Sequence, residues 1–337
     1  MFSNDIGIDL GTANVLVYVK GQGIVLNEPS VVALNQQTKK VLAVGEEARL
    51  MVGRTPGTIV AVRPLQDGVI ADFDTTEAML THFIKSLNLG GRFSKKPRIL
   101  ICCPTNITSV EQNAIREAAQ KAGGGTIFLE EEPKVAAVGA GMDIFQPYGN
   151  MVIDIGGGTA DIAVLSLGGV VTSQSLKVAG NIFDDNIAEY VKKHHKLLIG
   201  EHTAERIKIE VGTVLKDGRQ EETEVRGRDM INGLPRTITM TSQEVQVAVE
   251  DSINQIVQGA KNVLEQTPPE LSADIIDRGV MLTGGGSLIH GLDQLLTEQL
   301  LVPVFIADNA MNCVADGTGI LLENIDKVAK TKKLVEI

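Results

Sequence analysis

The clearest pattern in the chain is a pair of apolar runs joined by glycine, and it occurs twice. In residues 151–165, β-branched residues surround Asp154, three glycines follow, and a second apolar run begins at Ile162. Residues 6–17 repeat this order, with Asp9 in the first run and a glycine in the turn. Because glycine has no Cβ, the backbone can turn sharply there, and each copy is predicted to form strand, tight turn and strand.

A turn of this kind favours one ligand chemistry. Its successive backbone N–H groups point into one concavity, which suits a phosphate. Asp9 and Asp154 would lie beside that phosphate, where their repulsion is relieved by a hard cation such as Mg²⁺. Taken alone, residues 151–165 also fit a β-hairpin with an aspartate near its turn. The repeated copy favours the phosphate site and predicts two similar half-domains that face a shared nucleotide.

A third glycine cluster follows a short apolar run further along the chain. Val280–Leu282 precede Thr283 and the turn Gly284–Ser287, and a helical pattern comes next. Glycines between a strand and a helix N-terminus hold polar ligands in many proteins. The cluster is therefore a third candidate ligand turn.

The remaining pattern predicts an α/β chain in which strands alternate with amphipathic helices. Helix starts are placed by N-cap residues and helix ends by glycine or proline. The predicted helices are 75–87 with Thr75 or Thr76 as N-cap, Asn106 or Thr108 to Gly123 with a Ser109–Gln112 capping box, 134–141, 182–194, 204–214 capped by Thr203, 242–265 capped by Ser242, and a last helix starting at 317–319.

Length and composition narrow the class of protein. The 337 residues suit about two domains, and 43% apolar with 22% charged residues is ordinary for a globular chain. A net charge of −11 argues against general nucleic-acid binding. No apolar run reaches the roughly 18 residues that span a bilayer, and residues 1–5 leave no room for a signal peptide. The three cysteines lack disulfide or metal spacing, so we expect a cytoplasmic protein with reduced thiols.

The three glycine turns together resemble the phosphate-1, phosphate-2 and adenosine motifs of the actin, Hsp70 and sugar-kinase superfamily. Residues 100–112, LICCPTNITSVEQ, are most similar to the MreB-like (Mbl) paralogue of Gram-positive rods. Because such blocks occur in order over nearly the whole chain, it is identified as a member of the bacterial actin family MreB. The other blocks similar to that family are LNEPSVVA at 26–33, GRTPG at 53–57, DGVIAD at 67–72 and TPPEL at 267–271.

The resemblance implies a two-lobed actin-like ATPase fold, with duplicated RNase H-like domains that each carry a smaller insertion subdomain. The implied boundaries are 1–146 for the first lobe with an insertion at about 33–66, 147–314 for the second lobe with an insertion at about 180–243, and 315–337 for a C-terminal helix returning to the first lobe.

The resemblance also implies the residues of an ATP site with Mg²⁺, GTP being a possible alternative. Asp9 and Asp154 would orient Mg²⁺ through its water ligands, since this ion dehydrates reluctantly. The residues implied to bind the nucleotide are Gly11, Thr12, Ala13, Asn14, Gly156, Gly157, Gly158, Thr159, Asp161, Ala204, Glu205, Arg206, Ile207, Lys208, Gly284, Gly285, Gly286 and Ser287.

Glu132 stands directly before Pro133 at a predicted helix start. Proline fits the first helical turn, and the helix dipole favours a carboxylate there, so the pair also fits an ordinary helix start. In the family that the chain resembles, the glutamate at this position orients the attacking water. Glu132 is therefore the candidate catalytic residue, and Glu131 is the alternative if the register slips.

Glu205 and Lys208 lie three residues apart and share one helical face. Spacing alone fits a surface ion pair of little energetic weight. The resemblance makes them the pair that holds the adenosine ribose and base. Asn181 stands where the family usually has aspartate, and we leave it outside the predicted site.

Residues 88–97 place Leu89 and Phe93 among glycines and basic residues. A solvated turn whose Phe93 folds back onto the core fits this composition. In the resembled family a loop at this place touches the membrane. We therefore expect Leu89 and Phe93 to enter the membrane interface, with the basic residues near anionic headgroups.

The implied function is that of a bacterial actin-like cytoskeletal protein. ATP hydrolysis would accompany polymerisation of the chain with itself into filaments on the inner face of the cytoplasmic membrane. There the filaments would organise cell-wall synthesis with the elongation machinery and maintain rod shape; no nucleic-acid partner is expected.

Three other functions compete with this one. A small-molecule kinase of the same superfamily would need a base beside a substrate hydroxyl, and no such motif stands out. An Hsp70-type chaperone would need a substrate-binding domain after residue 330, and the sequence ends at Ile337. A scaffold with an inactive nucleotide site is disfavoured because all the phosphate-turn residues are present.

Overall fold

The computed structural model describes residues 5–66, 68–87, 96–105 and 107–325. The chain divides into two units, called here unit 1 and unit 2. Unit 1 takes the described residues of 1–146, 167–169 and 311–337, and unit 2 takes 147–166 and 170–310. The lobe and insertion boundaries implied by the resemblance stay predictions.

The strands of the described residues have the following bounds. They are β1 Ile6–Leu10, β2 Asn14–Val19, β3 Gly23–Pro29, β4 Val32–Asn35, β5 Val41–Val44, β6 Ile59–Val62, β7 Leu65–Gln66, β8 Val69–Ile70, β9 Ile99–Cys103, β10 Ile127–Glu131, β11 Asn150–Ile155, β12 Ala160–Ser166, β13 Gly169–Leu176, β14 Leu197–Leu198, β15 Glu222–Asp229, β16 Pro235–Thr241, β17 Val280–Thr283 and β18 Val304–Ile306.

The helices follow in the same way, and a π-helical turn, Val191–His195, extends the fifth. They are α1 Glu46–Arg49, α2 Phe73–Ser86, α3 Ser109–Lys121, α4 Glu132–Gly139, α5 Gly180–Tyr190, α6 Glu201–Val211, α7 Ser242–Gln266, α8 Pro269–Arg278, α9 Leu292–Leu300 and α10 Cys313–Glu323.

Unit 1 is built on a five-stranded sheet in the order β10-β9-β1-β2-β3. Strands β9 and β10 run parallel to β1, whereas β2 forms an antiparallel hairpin with β1. Side chains alternate between the two faces of a strand. Ile6, Ile8 and Ile101 therefore share one face, and they form a single apolar cluster with Leu80 of α2 and Ile115 of α3.

Helices α4 and α10, also in unit 1, approach each other at backbone distance. A Cβ added to Gly139 would overlap the carbonyl of Cys313, and one added to Gly317 would overlap the carbonyl of Val135. The two glycines are therefore required by the close contact, since any larger residue must push the helices apart.

Unit 2 repeats the sheet of unit 1. Its order is β13-β12-β11-β17-β18, with a β11–β12 antiparallel hairpin and with β17 and β18 parallel to β11. Strand by strand, this is the order β3-β2-β1-β9-β10 of unit 1. Ile153 of β11 lies in one apolar cluster with Phe183 of α5, Ile207 of α6 and Ile253 of α7. The repeat seen in the two glycine turns thus extends to the topology of both sheets.

Three smaller sheets accompany the two large ones within the described residues. Strands β4–β6 form a sheet in unit 1 in the order β5-β4-β6, and β14–β16 form one in unit 2. Strands β7 and β8 pair with each other. The first two sheets fall close to or within the ranges predicted for insertions, 33–66 and 180–243.

The predicted N-caps of α2 and α7 are wrong, because both helices begin earlier than expected. The Asp72 carboxylate accepts the backbone N–H of Thr75 at 2.7 Å, so Asp72 is the N-cap of α2 and Thr75 and Thr76 lie inside the helix. In α7 the N-cap is Thr241, and Ser242 is the first helical residue. In both helices, the cap side chain accepts an N–H from three residues further on.

The predicted capping box of α3 is also displaced by one residue. Thr108 accepts the N–H of Glu111 at 3.3 Å, and the Glu111 carboxylate accepts the N–H of Thr108 at 2.8 Å. Ser109 and Gln112 are therefore not the box. Threonine followed by glutamate three residues later satisfies both ends of this motif reciprocally.

Other helix starts differ from the prediction as well. Helix α5 begins at Gly180 instead of Ile182, and α10 begins at Cys313 instead of at residues 317–319. Helix α6 begins at Glu201 instead of Ala204, so its N-cap is Gly200 and the predicted cap, Thr203, lies inside the helix. Helix α8 is absent from the predicted set, in which the helix that begins at residue 242 is followed by no other before the third glycine turn. Pro269 instead opens α8, where a missing N–H costs no hydrogen bond.

Gly139→Ala and Gly317→Ala are each expected to destabilise the protein by about 1–3 kcal/mol, the usual cost of overpacking. Helix propensity alone predicts the opposite sign, since alanine in a helix is favoured over glycine by up to about 1 kcal/mol. Urea unfolding followed by circular dichroism measures the difference. Gly57→Ala is the control, because a Cβ there meets no atom within 4 Å. Wild-type stability of both helix variants would contradict the close contact between α4 and α10.

Candidate functional site

The first glycine turn of unit 1 connects β1 to β2 and is fixed through its carbonyl groups. The Ser30 hydroxyl donates to the carbonyl of Gly11 at 2.6 Å, and the Ser30 N–H donates to the carbonyl of Ala13 at 2.8 Å. Ser30 is fully buried. The Thr12 hydroxyl accepts the N–H of Gly68 at 3.1 Å. Sequence reasoning missed the role of Ser30, because nothing local links it to a turn 19 residues away.

The turn itself is tight. A Cβ added to Gly11 would lie 2.6 Å from the carbonyl oxygen of Asn14 and 3.7 Å from the nearer carboxylate oxygen of Asp9. The predicted neighbours Asp9 and Gly11 are therefore brought together, with Asp9 half-buried at the end of β1. The Asn14 side chain donates to Asn27 at 2.9 Å, which fixes the start of β2.

The second glycine turn, Gly156–Thr159, connects β11 to β12 in unit 2. Its ends close through a hydrogen bond from Gly156 N–H to the Thr159 carbonyl at 2.9 Å. The first two N–H groups of α5 reach the same turn: Gly180 donates to the Gly156 carbonyl at 3.1 Å, and Asn181 to the Gly157 carbonyl at 2.8 Å. Gly158 and Thr159 are buried. The turn is thus supported from one side by a helix N-terminus, whose leading N–H groups need such partners.

Beside this turn lies a buried acidic pair. Asp154 and Asp161 face each other across the β11–β12 hairpin and are 2% and 0% exposed. The Thr283 hydroxyl donates to Asp154 at 2.5 Å. The pKa of Asp154 is raised to about 7, chiefly by burial; the hydrogen bond from Thr283 lowers it, and the negative charge of Asp161 contributes to the rise. A cation would restore the charged form of such a carboxylate, so these residues fit the predicted Mg²⁺.

The third glycine turn packs directly on the second. Gly284 has a φ of 81°, and a Cβ added there would overlap the backbone of Ile155. A Cβ added to Gly286 would lie 3.1 Å from the Gly156 carbonyl. The buried Ser287 hydroxyl bonds to the Gly284 carbonyl at 2.7 Å, and Gly285 is exposed.

The prediction that a helix N-terminus follows this turn directly is wrong. A short 3₁₀ turn, Gly285–Leu288, comes first, and α9 begins at Leu292. The dipole of α9 therefore starts beyond the turn, and the glycines themselves supply the close approach to β11.

The predicted adenosine residues lie on α6 and differ in where they point. Ala204 and Ile207 are fully buried in the core of unit 2. Arg206 turns towards β15 and donates to the Glu224 carbonyl at 2.9 Å. Glu205 is half-buried, and Lys208 donates to the Gly180 carbonyl at 3.1 Å and to Asp184 at 2.9 Å. Sequence reasoning missed Asp184.

In unit 1, the charges of Asp9 and Glu132 both affect the pKa of one buried thiol, that of Cys102. Burial raises the pKa of Cys102 well above its ordinary value, and the negative charges of Asp9 and Glu132 raise it further. Both carboxylates therefore lie within electrostatic range of the same strand end. Glu132 is the first residue of α4, and Glu131, the alternative, precedes it as the N-cap residue. The helix predicted at 134–141 thus begins two residues earlier than expected.

The predicted membrane contact falls on residues that the structure does not describe. Leu89 and Phe93 both lie outside the described residues, so this contact stays a prediction. In the part of the chain that is described, no helix is long and apolar enough to cross a bilayer. The same part contains no group of three or more histidine, cysteine or acidic residues suited to a metal. Mg²⁺ is commonly held by one or two carboxylates together with phosphate oxygens, which does not require such a group.

Comparison with known proteins gives the family. The family model for MreB/Mbl proteins matches residues 3–330. The cell shape-determining protein Mbl of Bacillus subtilis (strain 168) is 69% identical over 332 residues, which cover 98% of this chain and 99% of that protein. The cell shape-determining protein MreB of Escherichia coli (strain K12) is 52% identical over 330 residues, covering 97% and 95%. The predicted greater similarity to Mbl is confirmed.

Solved structures give the fold. MreB5 of Spiroplasma citri, 40% identical, matches with a TM-score of 0.92 in its ADP-bound crystal structure and 0.89 in its AMPPNP-bound one. The matches cover 96% and 97% of this chain and 98% of each of those chains. The predicted actin-like fold is confirmed, and the chain belongs to the MreB/Mbl family of actin-like, cell shape-determining proteins.

Proposed function

We propose that this protein binds ATP with Mg²⁺, hydrolyses it slowly, and polymerises with itself into filaments on the inner face of the cytoplasmic membrane. These filaments would organise cell-wall synthesis with the elongation machinery and so maintain rod shape. The observation that carries the proposal is the repeated strand–glycine turn–strand unit, which has an aspartate before each turn. The nucleotides bound to MreB5 of Spiroplasma citri, ADP and AMPPNP, support the choice of an adenine nucleotide; GTP is a possible second substrate.

Each turn has a distinct part in holding the phosphates. The backbone N–H groups of Gly11–Asn14 would face the β-phosphate. Those of the second turn, Gly156–Thr159, would face the γ-phosphate, except the Gly156 N–H, which already donates to the Thr159 carbonyl. Ser30 holds the carbonyls of the first turn, and α5 holds those of the second. Because the carbonyls are already bonded, neither turn has to reorganise when a phosphate arrives.

Asp9 and Asp154 would orient Mg²⁺ through its water ligands. The ion supplies positive charge that offsets the charge on the phosphate oxygens. Thr283 fixes the orientation of the Asp154 carboxylate by donating to it. Asp161, buried opposite Asp154, would support the second turn.

Glu132 would orient the attacking water and accept its proton. The residue is suited to this because it begins α4, which the close contact with α10 holds in place. On the adenosine side, Glu205 and Lys208, together with the turn Gly284–Ser287, would hold the ribose and base. Removal of the γ-phosphate would end its contacts with Gly156–Thr159, and such a loss is a common trigger of conformational change.

Sedimentation with ATP and Mg²⁺, with phosphate release measured in parallel, tests the proposal. The protein is expected to pellet and to release phosphate without any sugar, and chelating Mg²⁺ should abolish both. Asp154→Asn should lower Mg²⁺-dependent phosphate release about tenfold or more, because it removes a group that orients the ion. Asp185→Asn, an exposed substitution in the same unit, is the control. Phosphate transfer that requires a sugar would point to a kinase, and absence of a pellet would contradict the filament.

Glu132→Ala is expected to slow phosphate release at least about tenfold, the contribution of one positioned base, while nucleotide still binds. Single-turnover phosphate release and equilibrium binding of AMPPNP separate the two effects. Glu117→Ala, on the exposed face of α3, is the control. Glu131→Ala distinguishes the alternative: loss of turnover in that variant alone would transfer the role to Glu131.

The double substitution Leu89→Asp with Phe93→Asp is expected to abolish co-sedimentation with liposomes that contain anionic lipid. Two carboxylates at the interface oppose both apolar insertion and attraction to the headgroups. Leu167→Asp is the matched control, since Leu167 is an exposed leucine elsewhere in unit 1. Unchanged pelleting of the double variant with liposomes would contradict a membrane role for this loop.

A further inference from the structure

A buried ion pair connects helices α5 and α6 in unit 2. The Lys208 ammonium lies 2.9 Å from an Asp184 carboxylate oxygen, with side-chain exposures of 16% and 8%. The same ammonium donates to the Gly180 carbonyl at 3.1 Å. Lys208 therefore binds the first residue of α5 and a residue one helical turn later.

A contribution to the folding stability of unit 2 is a weak explanation for this ion pair. The pKa of Asp184 is raised to about 6, chiefly by burial; Lys208 lowers it, and the charges of Glu205 and Glu201 contribute to the rise. One Asp184 oxygen is buried and accepts no hydrogen bond from the described residues. Buried pairs with incomplete hydrogen bonding are often no more stable than apolar residues of similar size.

Gly180, whose carbonyl accepts the hydrogen bond from Lys208, also supports the second glycine turn. Gly180 donates its N–H to the Gly156 carbonyl at 3.1 Å, and the next residue, Asn181, donates to the Gly157 carbonyl at 2.8 Å. A Cβ added to Gly180 would lie 3.3 Å from the Gly156 oxygen, so α5 and the turn are in direct contact. A displacement of Gly180 is therefore passed directly to the turn.

We propose that Asp184 and Lys208 are positioning residues: through Gly180 they set the backbone of Gly156–Gly157 and thereby the affinity for the terminal phosphate of ATP. The inference rests on the proposed function, in which this turn holds the γ-phosphate. It gives the nucleotide site a supporting residue, Asp184, and it gives Lys208 a role towards the phosphates besides its proposed role towards the adenosine.

ATP and ADP separate this role from adenosine binding, because they differ only in the terminal phosphate. A residue that acts on adenosine changes both affinities equally. A residue that acts through Gly156 changes the affinity for the triphosphate selectively. The ratio of the dissociation constants of ADP and AMPPNP is therefore the informative measurement, since general loosening of the unit would leave it unchanged.

Asp184→Asn keeps the size of the side chain and removes its charge. It is expected to lower the ADP/AMPPNP ratio of dissociation constants at least about threefold, within the range found for residues that act through others. Both dissociation constants are measured by competition with a fluorescent nucleotide in the presence of Mg²⁺. The protein concentration is kept below the one at which the protein sediments. Glu189→Gln, which removes an exposed ion pair with Lys192 on the same helix, is the control and should retain the wild-type ratio.

Two further measurements keep the inference testable. Amide hydrogen exchange at Gly180 and Asn181 should be faster in Asp184→Asn than in wild type. If thermal melting shows that Asp184→Asn does not fold, Gly180→Ala replaces it, because the added methyl presses on the Gly156 carbonyl while the ion pair remains. It is expected to lower the same ratio.

The outcomes distinguish this inference from the proposed function. Wild-type protein that gains no affinity from the third phosphate would overturn the γ-phosphate role of the turn, and this inference with it. With a wild-type preference for AMPPNP, an unchanged ratio in Asp184→Asn, or an equal loss of both nucleotides, would overturn the positioning role alone.

Discussion

A turn whose N–H groups are proposed to bind phosphate needs other partners for its carbonyl groups, and this constraint shapes the glycine turn of each unit. In unit 1 the carbonyls of Gly11 and Ala13 are both bonded by Ser30. In unit 2 the carbonyls of Gly156 and Gly157 are bonded by the first N–H groups of α5. The two units share one sheet topology but meet the same requirement with different elements: a buried serine in one and a helix N-terminus in the other.

The second constraint is the burial of two carboxylates away from water. Asp154 and Asp161 are both buried and face each other across one hairpin, which burial alone would penalise heavily. The hydroxyl of Thr283 relieves part of this cost, and it comes from the strand that leads into the third glycine turn. The acidic pair therefore links the strands that lead into two of the three turns.

The sequence was sufficient to predict the parts of the site whose geometry is local. The order of aspartate and glycine in residues 6–17 and 151–165 predicts two strand–turn–strand units, because a tight turn has its own residue requirements. It did not predict the supports of those turns. Ser30 lies 19 residues from Gly11, and Asp184 lies 24 residues from Lys208, so these contacts exist only after the sheets and helices have packed. Helix starts differ from the prediction for another reason. Neighbouring cap-forming residues compete for one position, Asp72 with Thr75 in α2 and Thr241 with Ser242 in α7, and tertiary packing selects between them.

The thiol of Cys102 has a consequence for the chemistry of unit 1. A thiolate, not a thiol, attacks oxidants and alkylating agents. Burial and the charges of Asp9 and Glu132 raise the pKa of this group, so it stays protonated beside the residues proposed to handle the nucleotide. Cys102 can therefore fill space near the end of β9 without reacting with oxidants or alkylating agents. This protection lasts only while unit 1 remains folded around the thiol.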